Sequence, residues 1–482
     1  MNRPAVSRRV RPLAWALFGL LAGCASVGPD YAPPALPGSL AAHPPGAFAE
    51  NRPAALSTAP LPSRWWQLYD DPRLNALIEE ALTANTDVRV AVANLERAEA
   101  VVQGTRATAG VQTALGGGVS FGQASTGGVG HSGGAHPSID AGLGVSYAVD
   151  VVGRIRREME AASADAQAQA ATADLARITV VASVVGAYTD ACASGARLQV
   201  AQRSAALQRQ SLGLIQRGAA AGLYSPLDLT RSRALLAQLE AAIPPLDGAR
   251  QTALYQLAVL MGRAPTAFPV ELADCATIPT LDQPIPVGDG SALIRRRPDI
   301  RQAERQLAAA TADIGVVTAD LYPSVSLGAS LGTTSRKVGT LLDRSALRFS
   351  MGPLISWSFP NTRVAHARVE EAGAAQRAAL ASFDGVVLTS LREAETALTL
   401  YARHLDENTQ LRVARDESRT ATGLQQQLLR GGTVSSLETL DVERSLASAE
   451  AALAASGATL ATDRVRIFLA LGGGWESDAS SP

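Results

Sequence analysis

Lysine is almost missing from this chain: Lys337 is the single one among 43 basic residues, the rest being arginine. We read this as compositional bias. Aromatic residues make up only 4% although hydrophobic residues reach 47%. The apolar weight therefore falls on Ala, Leu and Val, which suits closely packed helices better than a thick globular core. A net charge of −1 removes any whole-chain electrostatic argument for a nucleic-acid partner. Three cysteines, Cys24, Cys192 and Cys275, form no CxxC or Cys/His spacing, which excludes the common zinc patterns. A Cys192–Cys275 bridge is open to the chain in an oxidising compartment. Cys192 falls on a helical pattern, however, so a free, buried thiol is the expectation. The histidines (His43, His131, His136, His366 and His404) have no helical ligand partners, and no GxSxG, HExxH or P-loop occurs. No enzyme, metal or bound cofactor is expected. "HSGGAH" (His131–His136) reads as a loop between strands.

What is present begins with an address. "MNRPAVSRRVRPLAWALFGLLAGC" carries Arg3, Arg8, Arg9 and Arg11, then an apolar run from Leu13 to Leu21 too short to span a bilayer. Residues 1–23 read as a secretory signal. Leu21-Ala22-Gly23-Cys24 resembles the bacterial lipobox, in which the cysteine is lipidated and becomes the new N-terminus. Ala25 after it resembles an outer-membrane sorting signal. Acyl chains anchor through about 0.8 kcal/mol per buried methylene. Twelve of the 26 prolines lie at or before position 72, so residues 24–72 cannot be regular helix or central strand and read as an extended tether that wraps or spaces the body.

Four short stretches alternate with period two. In "IDAGLGVSYAV" (Ile139–Val149) and "LRFSMGPLISWSF" (Leu347–Phe359) one face is apolar and the other small or polar, with Leu354 an exception. "YPSVSLGASLG" (Tyr322–Gly332) repeats the pattern, and "LGGGVSFGQ" (Leu115–Gln123) shows it more weakly. The lengths are those of tilted strands crossing hydrocarbon. Tyr147, Trp357 and Phe359 sit near strand ends, where interfacial aromatics belong. In lipid an open sheet edge costs several kcal/mol per unpaired group, so the sheet must close. Four strands cannot close a spanning barrel. Two copies would give eight and a filled interior; three give twelve and a lumen.

The remainder is helical and duplicated. "GLYSPLDLTRSRALLAQLEAA" (Gly222–Ala242) aligns without gaps with "GTVSSLETLDVERSLASAEAA" (Gly432–Ala452), and "QLAVLMG" falls on "RIFLALG" at the same offset. "TDVRVAVANL" matches "PDIRQAERQL" at nearly that offset. Residues 73–262 form a first repeat, 263–291 a linker, 292–474 a second repeat and 475–482 a tail. Each repeat reads as an Ala-rich helix (Pro72–Ala107; Ser291–Asp320), two strands, then a very long helical region. The first long region, Gly153 to Leu223, would span about 100 Å if unbroken, with Gly186, Gly195, Gly213 and Gly218 as candidate breaks. Its charged face excludes membrane crossing, so these helices project into the periplasm. "GAAAGLYSPLD" and "LRGGTVSSLE" read as helix-hairpin tips.

At this point five stretches carry a resemblance over nearly the whole mature chain: "PDYAPP", "WWQLYDDPRLNALIEEAL", "YAVDVVGRIRREMEAA", "RRPDIRQAERQLAAATADIGVVTADLYPSVSLGASLG" and "LALGGGW". The sequence resembles the outer membrane efflux proteins, the TolC-like factors, and among them the lipidated OprM/NodT-type subunits. The resemblance implies a mainly α chain with a membrane β-barrel part: a homotrimer with a twelve-stranded barrel, four strands per chain, continued by a long periplasmic α-helical barrel. It also implies a periplasmic adaptor (membrane fusion) protein and an inner-membrane pump of the resistance–nodulation–division type as partners, besides outer-membrane lipid. Cys24 would carry the only covalent group, an N-terminal lipid.

The same resemblance places a periplasmic gate at the hairpin tips. The family pattern G-x-x-(S/T)-x-L-(D/E)-V-L-D-A falls on Gly432–Val442, so Leu437 takes the apolar gate position and Glu438 and Asp441 the acidic ones. Thr439 and Val442 depart from the usual Val and Ala. On the first tip Asp228 and Arg231 occupy the equivalent region and could pair across the closed gate. A trimer would turn Asp441 into a ring of carboxylates, stable only if wet or partnered and favouring cations. Read without the resemblance, Glu438 and Asp441 are ordinary solvated acids at a positive helix end. The expected function is the passive outer-membrane exit duct of a tripartite efflux pump for small toxic solutes or drugs. The alternatives are the duct of a type I protein-secretion system and a non-channel structural lipoprotein of the envelope.

Overall fold

The computed structural model describes residues 26–35, 46–50, 52, 54–122, 135–281, 283–360, 362–430 and 436–473. Cys24, His131 and the stretch 431–435 of the second tip lie outside them. Among the described residues the elements run β1 (Leu56–Ser57), α1 (Pro72–Ala84), α2 (Thr86–Thr108), β2 (Gln112–Gly122), β3 (His136–Val149), α3 (Arg154–Ala220), α4 (Pro226–Ala241) and α5 (Ile243–Leu260). There follow β4 (Ile285–Pro286), α6 (Gly290–Arg296), α7 (Pro298–Thr318), β5 (Ser324–Ser335), β6 (Leu347–Ser356), α8 (Arg363–Arg430) and α9 (Ser436–Ala470).

Both Ala-rich helices are broken where the sequence suggested continuity. Asn85 turns extended and its side chain caps α2, accepting from Asp87 N at 2.8 Å and Val88 N at 3.3 Å. Arg297 turns extended because Pro298 disfavours a helical conformation in the residue before it. The long regions behave oppositely. None of the four candidate glycines interrupts α3, which runs unbroken for 67 residues. Gly195 has another role: a Cβ there would overlap the carbonyl oxygen of Cys275.

The chain divides into two compact units, each drawing on both repeats. The first takes the described residues of Met1–Ala35, Leu95–Gln169 and Gln302–Phe383; the second takes those of Leu36–Asn94, Ala170–Arg301 and Asp384–Pro482. The first unit holds one antiparallel sheet, ordered β2-β3-β5-β6. The two sequence-distant strand pairs thus join through β3 and β5, from Ile139 opposite Ser335 to Val149 opposite Val325. Beside the sheet, residues 26–35 lie against the helices. Arg157, almost fully buried, donates to Val27 O at 3.1 Å and to Asp30 Oδ1 at 2.6 Å, and Tyr31 Oη donates to Glu304 at 2.7 Å.

The second unit carries the main core. Ile178, Val181, Val184, Val185, Tyr188 and Ala191 of α3 are buried, with Leu74 and Ile78 of α1, Leu254 and Leu257 of α5, Leu398 of α8 and Ile467 and Phe468 of α9. Part of α3 is long and apolar enough to cross a membrane by composition, yet half of that stretch is buried inside the protein. The later part of the proline-rich segment joins this core. Trp65 is 1% exposed and stacks on Phe468 at 4.3 Å, and β1 pairs in parallel with β4. Cys192 and Cys275 form a disulfide with their Cα atoms 4.7 Å apart. The free-thiol expectation is overturned because the 270s segment returns against α3 at Gly195, a contact invisible in linear sequence.

The duplication survives as paired hydrogen bonds. Asn85 Nδ2 donates to Leu260 O at 2.9 Å, and Arg297 Nη1 donates to Ala470 O at 2.8 Å. Each links the start of a repeat to the end of its last helix. Gly262 and Gly472 close those helices in the left-handed region, both at φ 69°, as a helix C-terminal cap requires.

Candidate functional site

Two regions hold the residues singled out in the sequence. The first is the four-stranded sheet. Its register places every even-numbered strand residue on one face and every odd-numbered one on the other. The odd face is apolar: Val119 lies opposite Ile139, Leu143 opposite Leu331, Leu331 opposite Phe349, and Val325 opposite Ile355. The even face is Ser, Gly and Ala with few larger side chains. The apolar face is bare in the single chain, with Leu115 at 86%, Phe349 at 82% and Met351 at 87% exposure. Such a patch marks a surface that meets lipid or protein.

Tyr147, Trp357 and Phe359 gather at one end of this sheet, where β3 and β6 finish and β5 begins. Tyr147 lies on the apolar face opposite Leu327. Trp357 and Phe359 lie just past β6 and stack at 4.7 Å, and Trp357 Nε1 donates to Leu321 O at 3.2 Å.

The second region is the tip where α3 turns into α4 and α8 is followed by α9. Ser225 caps α4 in a reciprocal box with Asp228: Ser225 Oγ accepts from Asp228 N at 3.2 Å, and Asp228 Oδ2 accepts from Ser225 N at 3.0 Å. Arg231 follows on the exposed surface of α4. On α9, Leu437 (48% exposed), Glu438 and Asp441 share one exposed face, while Thr439 and Leu440 are buried. Leu440 packs with Ile215 and Leu235 in an apolar cluster flanked by Tyr224, Leu229 and Leu239. Thr439, the departure from the family pattern, thus belongs to the packed side of α9.

Sequence reasoning missed the polar ties of this tip. Arg209 pairs with Glu240 at 2.7 Å and Arg419 with Glu450 at 2.8 Å, the same bridge in both repeats. The signal was available, since both partners recur at the offset that aligns the hairpins. Glu443 was also missed. Its Oε1 accepts from Ser211 Oγ at 2.7 Å, and its Oε2 is buried without a hydrogen bond among the described residues. Burial pushes the pKa of Glu443 up, against the lowering influence of Ser211 and Gln426. A cavity of about 40 Å³ adjoins it, lined by Ser204, Gln208, Thr422, Gln426 and Glu450 among others. Arg297 is a third omission. Its guanidinium holds Asp299 at 2.7 Å, Glu393 at 2.9 Å and Ala470 O, so the "RRPD" stretch is a structural clasp. Among the described residues no cluster of metal-ligating side chains occurs.

A two-faced sheet of membrane-crossing length in a chain built mainly of long helices defines a class: outer-membrane channel subunits with a helical periplasmic extension. The outer membrane efflux protein model matches residues 77–263 and 290–473. The chain belongs to the outer membrane efflux protein family. It is 30% identical over 467 residues to Nodulation protein T of Rhizobium leguminosarum bv. viciae, covering 96% of this chain and 93% of that protein. It is 30% identical over 468 residues to the toluene efflux pump outer membrane protein TtgC of Pseudomonas putida, covering 95% and 94% respectively. The solved outer-membrane channel OprN superposes with a TM-score of 0.85 at 34% identity, over 93% of this chain and 99% of that one. The chain is an outer-membrane efflux channel subunit of the TolC-like fold. Such channels are trimeric and work with an adaptor and an inner-membrane pump.

Proposed function

We propose that three copies of this chain form a passive exit duct for small toxic solutes, fed by a pump of the resistance–nodulation–division type through a membrane fusion adaptor. The observation that carries the duct is the sheet. Its apolar face is continuous across four strands in one register, and among the described residues the outer edges of β2 and β6 have no further strand. Hydrocarbon does not tolerate such edges, so copies must share them. The solute class is supported by the relative described as a toluene efflux pump protein. Cys24 carries the lipid that holds the N-terminus at the membrane. Leu437, Glu438, Asp441, Asp228 and Arg231 form the periplasmic gate, and Tyr147, Trp357 and Phe359 mark the interface with lipid. The duct itself holds no energy source, since transport is downhill once solute is delivered.

Crosslinking in cells followed by co-purification tests the partners. Recovery of an adaptor and a pump of that type supports the reading; recovery of an ATP-driven protein exporter instead would replace it with the type I secretion duct. A purified particle that is stably monomeric and still conducts would overturn the shared barrel.

A further inference from the structure

The even face of the sheet is nearly bare. Among its described residues only Asp140, Arg348 and, at the rim, His136 have titratable side chains; most of the others are Ser, Gly or Ala. Arg348 on β6 lies opposite Gly332 of β5, and Gly332 lies opposite Gly142 of β3. Asp140 is on β3, so β5 runs between the two charges. At about 4.8 Å between neighbouring strands, the arginine must cross roughly 10 Å of sheet. It does so because nothing stands in the way at Gly332: Arg348 Nη2 comes within 3.5 Å of Asp140 Oδ1. A side chain at Gly332 would also collide with the backbone of β3, since its Cβ would lie 2.7 Å from Ala141 O. Asp140 is held from a second side, accepting from Thr334 Oγ1 at 2.6 Å. The Arg348 side chain is 61% exposed and that of Asp140 37%. The pair therefore presents mainly its cation, above a depression of about 270 Å³.

We propose that Arg348 shifts conduction in the barrel toward anions, opposing the cation preference of the periplasmic gate, by drawing in solutes or ions with an anionic group, and that Asp140 orients it. The inference rests on the reading that the even face lines the lumen. A guanidinium fork aimed across a bare wall matches a carboxylate or sulfonate with two parallel donors. Asp140 occupies one side of the fork at a long distance and leaves the rest facing the lumen. Three copies would place three such cations around one level of the barrel, where little else projects. In a pore, rings of arginine favour anions.

The test is planar-bilayer recording of the purified full-length channel in potassium chloride gradients. Arg348→Gln should lower the chloride-to-potassium permeability ratio about twofold or more, and Asp140→Asn should raise it, because it frees the guanidinium. Unchanged ratios in both variants would overturn the proposal. The underlying face assignment is checked separately with Arg348→Cys and Phe349→Cys and a charged, membrane-impermeant thiol reagent. Modification of Arg348→Cys alone supports the lumen reading; modification of Phe349→Cys alone would overturn that reading and the proposal with it. Modification at position 348 with no selectivity change in Arg348→Gln and Asp140→Asn would sink the proposal alone.

Discussion

Ser211 Oγ donates to Glu443 Oε1 at 2.7 Å, tying α3 to α9 through a carboxylate whose other oxygen is buried without a hydrogen bond among the described residues. Burial raises the pKa of Glu443 above the ordinary glutamate value. Between the unfolded and folded values the native state holds the extra proton, so stability falls as pH rises through that window and recovers as pH drops below it. Glu443→Gln keeps the acceptor and removes the charge. Its melting temperature should exceed that of the wild type above the window, with the gap closing as pH falls toward the unfolded value. Melting curves across that range check this, and a variant less stable at neutral pH would contradict it.

The gate reading makes a separate prediction. Leu437, Glu438 and Asp441 share one exposed face of α9. Replacing both Glu438 and Asp441 by Ala should raise the leak conductance of the resting channel and weaken its cation preference in planar bilayers. An unchanged leak and preference would remove these residues from the gate.

Arg297 should matter for stability well away from either region. Its side chain is 10% exposed and satisfies Asp299 and Glu393 together. Removing one partner of a buried charge cluster costs about 3–5 kcal/mol, and the low end applies here because Glu393 is 41% exposed. Arg297→Ala should show this loss in denaturant unfolding. Arg297→Lys should restore only part of it, because a point charge cannot fork between two carboxylates.

The Cys192–Cys275 bridge closes a loop with a sequence separation of 83. Loss of a native bridge typically costs about 2–5 kcal/mol. A double Ser variant should melt lower, and reductant should lower the wild type but leave the variant unmoved. Equal response of both proteins to reductant would show that the bridge contributes nothing.

Much of the fold was legible because its signals are local. The period-two runs located all four membrane strands to within a few residues, since one face must be apolar wherever hydrocarbon meets it. The offset of the duplicated hairpins anticipated that the two halves would be built alike, and the Arg209–Glu240 and Arg419–Glu450 bridges follow it. The helix breaks were less legible. Asn85 and Arg297 stop their helices by local chemistry, but what fixes them there is a carbonyl far along the chain, Leu260 O or Ala470 O.

The sequence by itself determined which residues are strand, which are long helix, and that a single copy cannot close a barrel, because periodicity and the cost of an unpaired edge in lipid need no coordinates. Only the tertiary structure decided which strands are neighbours, that Cys192 meets Cys275, and that Arg348 reaches Asp140 across a glycine. Those outcomes depend on contacts between residues distant in sequence, and no local pattern encodes a distance through space.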